Sequence, residues 1–160
     1  MKKLVLIFVA FLPLFVAAQK KAPAIKPYLP DEVKAAKSEG DLSFKGGAYN
    51  YAQGIYERLV VTEPSNADYN YKLGICYMFT NVNKAKAISY MEFAANANSK
   101  DKPKDVTFDL GRAYFYAGLY DKALETYEKF RVEKHNAIDS KLKPIFDMHV
   151  EWATNANNLN

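Results

Sequence analysis

Apolar residues recur along most of this chain at intervals of three and four, and no stretch alternates apolar with polar for long. That period belongs to amphipathic helices and predicts an all-α protein. The pattern places helices at about 31–45, 48–62, 67–80, 83–97, 104–117 and 120–135, with a last one at 139–157. Asp31, directly after Pro30, is the expected N-cap of the first helix. Before it, residues 19–30 read QKKAPAIKPYLP, with three prolines and no apolar period. An extended arm is expected there.

A longer period overlies the short one. Gly40, Gly74 and Gly111 stand 34 and 37 residues apart, and further positions line up around each. Gly47, Tyr49, Ala52, Tyr56, Leu59 and Pro64 follow the first. Tyr77, Ala87, Met91 and Ala94 follow the second, with one extra residue in its turn near Asn81. Tyr114, Gly118, Tyr120, Ala123, Tyr127 and Phe130 follow the third. Three units of this length call for a repeat architecture. The glycines let a paired helix approach closely, facing Ala52, Ala87 and Ala123, while Gly47 and Gly118 free the backbone to end the first helix of a pair. Tyr49 and Tyr120 should cover the turns, and Tyr56, Met91 and Tyr127 should pack toward the next unit. These residues resemble the tetratricopeptide repeat pattern over about residues 33–135. The resemblance implies an α-solenoid of three helix–turn–helix repeats, near 33–66, 67–103 and 104–135. The final helix, within 136–160, would cap the open apolar face of the last repeat.

The first residues change the compartment. Lys2 and Lys3 precede an apolar run from Leu4 to Phe15, and Val16-Ala17-Ala18 supplies small residues for cleavage. This is the form of a secretory signal peptide over 1–18. The run is shorter than the ~18–20 residues that span a bilayer, and Pro13 interrupts it, so no stable membrane insertion is expected after cleavage. Export to the periplasm is the expectation. The leader holds two of the 22 basic residues and no acidic one, leaving 20 against 18 and a net charge of +2. With no cluster of Lys and Arg to track phosphates, nucleic acid is not an expected partner. The lone Cys76 cannot form an internal disulfide, and the roughly 142 residues after position 18 suffice for one core.

Catalytic chemistry finds little footing. His135 and His149 sit in no metal-binding spacing, and no GxSxG, P-loop or GxGxxG sequence occurs. Asp147 and Glu151 share a helix face with His149 turned away, which reads as a solvated carboxylate pair. Cys76, between Ile75 and Tyr77, reads as a small buried hydrophobe. No enzyme activity, metal or cofactor is expected.

The aromatics, 14% of the chain, carry more. In the repeat family that the pattern resembles, the first helix of each pair lines a concave groove for extended or helical peptides. Carried across, that face comprises Lys37, Asp41, Phe44 and Lys45, then Tyr71, Ile75, Met78 and Phe79, then Phe108, Arg112, Phe115 and Tyr116. Tyr71, Met78, Phe79, Phe108, Arg112, Phe115 and Tyr116 are the candidate contacts, because exposed rings and arginine mark binding surfaces. Packing beneath the N-terminal arm or another domain is the competing reading. The carboxylate clamp of chaperone adaptors is not expected. Lys37 matches it, but Asp41 replaces its asparagine, and Asp105 and Asp109 stand where cations are needed.

The leader, the short proline-rich arm and the ending DLGRAYFYAGLYDKALETYEKF together resemble the N-terminal repeat region of OmpA-family envelope proteins from gliding, type IX-secreting bacteria. That resemblance implies a scaffold for another envelope protein in a secretion- or gliding-associated complex. It equally implies a structural module of a larger peptidoglycan-anchored protein, with the groove filled internally. The residues for peptidoglycan binding are not in this sequence, so that activity is not carried over.

Overall fold

The computed structural model describes residues 24–80, 83–135 and 137–159. The leader read over 1–18 and the turn near Asn81 lie outside them. Among the described residues seven helices follow in order: α1 (Val33–Lys45), α2 (Tyr49–Thr62), α3 (Ala67–Phe79), α4 (Lys84–Asn96), α5 (Val106–Tyr116), α6 (Tyr120–Glu133) and α7 (Lys143–Asn157). Each packs on its sequence neighbour, and α5 also touches α3 and α7, as in a solenoid of helix pairs.

Most boundaries fall within two residues of the periodic reading, and the exceptions have local causes. Asp31 is not the cap of α1. The residue there is Glu32, whose carboxylate instead accepts a hydrogen bond from the Leu29 amide at 2.9 Å. α7 begins four residues late because Asp139 first closes a turn, accepting the Leu142 and Lys143 amides, with Pro144 then opening the helix. α3 and α4 start on asparagine caps, Asn66 accepting from the Tyr69 amide and Asn83 from the Lys86 amide.

Gly47 and Gly118 adopt φ of 75° and 76°, a left-handed conformation that ends α1 and α5 at small cost only without a side chain. The aromatic after each turn folds back over it: Tyr49 meets Phe44 edge-on at 5.7 Å, and Tyr120 meets Phe115 at 5.6 Å.

Inside each pair the tightest approach lies beyond the expected alanine, although a Cβ on Gly74 would also lie 3.2 Å from the Ala87 carbonyl oxygen. A Cβ on Gly111 would lie 2.4 Å from Tyr127 Cε1, one on Gly74 2.7 Å from Met91 Cγ, and one on Gly40 3.0 Å from Ile55 with Tyr56 close behind. The glycines therefore make room for the bulky residue four beyond each alanine. Two of these residues also reach onward: Tyr56 meets Tyr69 of α3 at 6.4 Å, and Tyr127 meets Phe146 of α7 edge-on at 6.0 Å.

A tie between pairs also recurs. Tyr77 of α3 donates its hydroxyl to Glu57 of α2, with Lys86 of α4 5.2 Å from the ring centre. Tyr114 of α5 repeats this with Glu92 of α4 and Lys122 of α6. A phenol bonded to a carboxylate satisfies both groups as two pairs close on each other.

The arm is pinned to the outside of the first pair. The Tyr28 amide donates to Thr62 Oγ1 at 2.9 Å, Arg58 stacks 3.6 Å above the Tyr28 ring, and Arg58 Nε donates to the Lys26 carbonyl. Residues 24–30 thus sit at the C-terminal end of α2, far along that helix from Tyr49.

Candidate functional site

The first helices of the pairs, α1, α3 and α5, present a face whose two ends differ. Between α1 and α3 it is ionic. Asp41 accepts from Lys37 at 2.7 Å, from Tyr56 at 2.6 Å and from Lys72, and Lys72 also reaches Asp68 at 2.7 Å. Burial alone would raise the Asp41 carboxyl, but the bonds from Lys37, Lys72 and Tyr56 outweigh it and hold the group well below the usual carboxylate range.

Between α3 and α5 the polar contact narrows to one network. Asp109 accepts from Tyr71 Oη at 2.6 Å and from Arg112 Nη1 at 2.7 Å. Burial pushes the Asp109 carboxyl upward against the pull of Tyr71 and Arg112. Burial acts to lower Arg112, yet the neighbouring Asp109 charge prevails and raises it, so the guanidinium stays charged. It lies 5.4 Å from the Phe79 ring centre and 5.8 Å from that of Phe108.

Along the turn edge of this face the rings follow one another. Tyr49 stacks on Phe79 at 5.0 Å, Arg112 stands beside Phe79, and Phe115 meets Tyr116 at 5.5 Å and Trp152 of α7 at 6.3 Å. Lys84, at the start of α4, lies 5.7 Å from the Tyr116 ring centre. Phe79, Tyr116 and Trp152 are 44%, 40% and 44% exposed. Isolated rings this open need no explanation, but a connected row with two cations set against it does.

Of the seven predicted contacts, Phe79 and Tyr116 lie open on this edge, and Arg112 and Phe115 border it partly buried. Tyr71 is half-buried, its hydroxyl taken by Asp109. Met78 and Phe108 are buried, and so is Ile75 of the wider groove set; these three are corrections to the expected face. The sequence phase was set one residue too deep. Positions three before and four after the mid-helix glycine close against neighbouring helices, whereas the position five after it, held by Phe79 and Tyr116, faces out. Phe108 is further covered by α7, meeting Phe146 at 5.9 Å and His149 at 5.7 Å.

Two residues of the edge were missed. Trp152 and His149 lie on the helix read only as a cap, although Phe146, His149, Val150 and Ala153 have the spacing of an inward face. His149 does turn away from the exposed Asp147 and Glu151, but the face it takes is buried, only 3% exposed. Cys76 is buried as expected, and burial pushes its thiol up to about 12, which keeps it protonated.

Residues 105–133 match the family model described as Tetratricopeptide repeat. That segment is similar to a tetratricopeptide repeat. The matched segment runs from the residue before α5 to the end of α6, the pair that bears Arg112, Phe115 and Tyr116. No curated relative matches the chain. A tetratricopeptide repeat is a scaffold for protein–protein contact, and the seven helices form an all-α solenoid of that kind. Among the described residues no helix is long and apolar enough to cross a membrane.

Proposed function

We propose that the protein is a non-enzymatic scaffold that holds another protein of the cell envelope on its aromatic edge. One observation carries this reading: Phe79 and Tyr116 are open beside Arg112 and Lys84, while residues 24–30 of the arm are fastened at the opposite end of α2. Flat rings bury large area at low entropic cost, and the two cations favour a partner that brings a carboxylate or another π-face. The leader read in residues 1–18 supports a periplasmic location. The resemblance to the repeat region of OmpA-family proteins supports a place in a secretion- or gliding-associated complex. A structural module with its groove filled internally would need an occupant other than residues 24–30.

The test compares capture from an envelope extract by the wild-type chain and by Phe79→Ala/Tyr116→Ala, after circular dichroism shows equal helix content. A partner retained by the first and lost by the second is expected. Equal recovery of every captured protein by both would overturn the reading.

A further inference from the structure

The docking of α7 differs from every earlier helix contact in its polar accounting. Among the described residues, Arg112 Nε, Tyr127 Oη and His149 Nδ1 are buried with no hydrogen-bond partner, and they belong to α5, α6 and α7, which pack on one another. Each unsatisfied buried group of this kind is a cost that the docked state carries. His149 sits in a cage of rings: Phe108, Phe115 and Tyr116 of α5 at 5.7, 6.0 and 6.3 Å, Tyr127 of α6 at 6.3 Å, and Trp152 of α7 at 5.3 Å. The inter-pair tie is also missing here. It joins a glutamate to a tyrosine 20 or 22 residues further on, but the residues that far beyond Glu128 are Met148 to Val150. Glu128 pairs instead with Arg131 of its own helix.

We propose that α7 is a proton-operated latch, docked while His149 is neutral and released when the imidazole is charged. A charged ring in this cage would gain no carboxylate. Asp109, the acid on α5, is already bound by Tyr71 and Arg112, Tyr116 and Tyr127 bring rings and hydroxyls but no carboxylate, and Asp147 and Glu151 on α7 face solvent. Arg112 is the charged group acting on it, and it repels. Burial first, then Arg112, lowers the imidazole to about 4 from its ordinary 6.5. A histidine depressed by folding gives stability that is complete above 6.5 and is lost as the pH falls toward 4. The released helix would uncover Phe108, Tyr127 and Phe130 and carry Trp152 away from the aromatic edge. The inference does not rest on the proposed partner.

Native-state hydrogen exchange tests it, expressed as protection factors so that the chemical pH dependence cancels. From pH 7 to pH 5, linkage predicts a roughly twentyfold loss of protection in residues 143–157, with α3 and α4 changing less than twofold. His149→Phe and His149→Gln, which cannot take up the proton, should abolish the loss, and His135→Asn should leave it intact. Asp109 is the competing acid-sensitive group, and its response would survive in both His149 variants. A wild-type change below twofold, or an equal change in those variants, overturns the latch. Should both variants release α7 already at pH 7, magnetic resonance titration of the wild type decides. His149 and the α7 amides must then move with one midpoint, and separate midpoints overturn the proposal.

Discussion

Between α1 and α3, Lys37, Asp41, Lys72 and Asp68 form a run of ion pairs, and Tyr56 donates its hydroxyl into the run. Between α5, α6 and α7, rings crowd one another, and three buried polar atoms are left without a bond. The two regions are stabilised differently. Directional pairs fix one arrangement at the first, and stacked rings, less directional, fill space at the second. The difference teaches where movement is inexpensive. Separating α1 from α3 would break the ion pair between Lys72 and Asp41, whereas lifting α7 would let unpaired polar atoms meet water while exposing apolar surface.

Three substitutions and one control probe that contrast, with the three taken in order of expected effect. Phe130→Ala removes a fully buried ring that touches Phe108 and Phe146 and should cost about 3–5 kcal/mol in urea denaturation. A cost under 1 kcal/mol would mean that the ring cluster contributes little. Next, Gly111→Ala sets a methyl 2.4 Å from a ring only 1% exposed, and should destabilise by about 1–3 kcal/mol despite the ~1 kcal/mol gain in helix propensity. Gly40→Ala is the matched control at the ionic end, where the nearest atom is a side-chain methyl at 3.0 Å, and its thermal midpoint should stay close to wild type. Control aside, the smallest effect belongs to Asp41→Asn, about 1 kcal/mol at pH 7 for a partly exposed carboxylate. Its depressed folded value means that the stabilisation exists above 3.8 and disappears as the pH falls below it. The gap between variant and wild type should therefore close in acid, and a gap unchanged at pH 3 would assign it to packing.

The helical pairs were legible because each repeat spells itself three times. Gly40, Gly74 and Gly111 announce a close approach, and Gly47 and Gly118 announce a turn, wherever the chain lies in space. The open edge was only half legible. Phe79 and Tyr116 could be placed near the groove by their distance from those glycines, but whether Met78 or Phe108 joins them depends on how closely neighbouring pairs approach, a distance that no single repeat encodes. His149 was harder still. A histidine at an inward position reads as an ordinary member of an amphipathic helix, and its cage is assembled from α5, α6 and α7 at once. The tyrosine–glutamate ties were hidden for the same reason, since Glu57 and Glu92 lie on the pair before the ring they hold.

Trp152 is the single tryptophan of the chain, set against Phe115 and His149 on the helix that closes the solenoid. Its position gives the protein an optical probe that needs no label. Indole emission shifts with the polarity around the ring, and a protonated imidazole in contact quenches it. Eleven of the twelve tyrosines lie within residues 33–135, and light at the long-wavelength edge of absorption excites the indole without them, so its emission reports events at the closing helix rather than in the body of the solenoid.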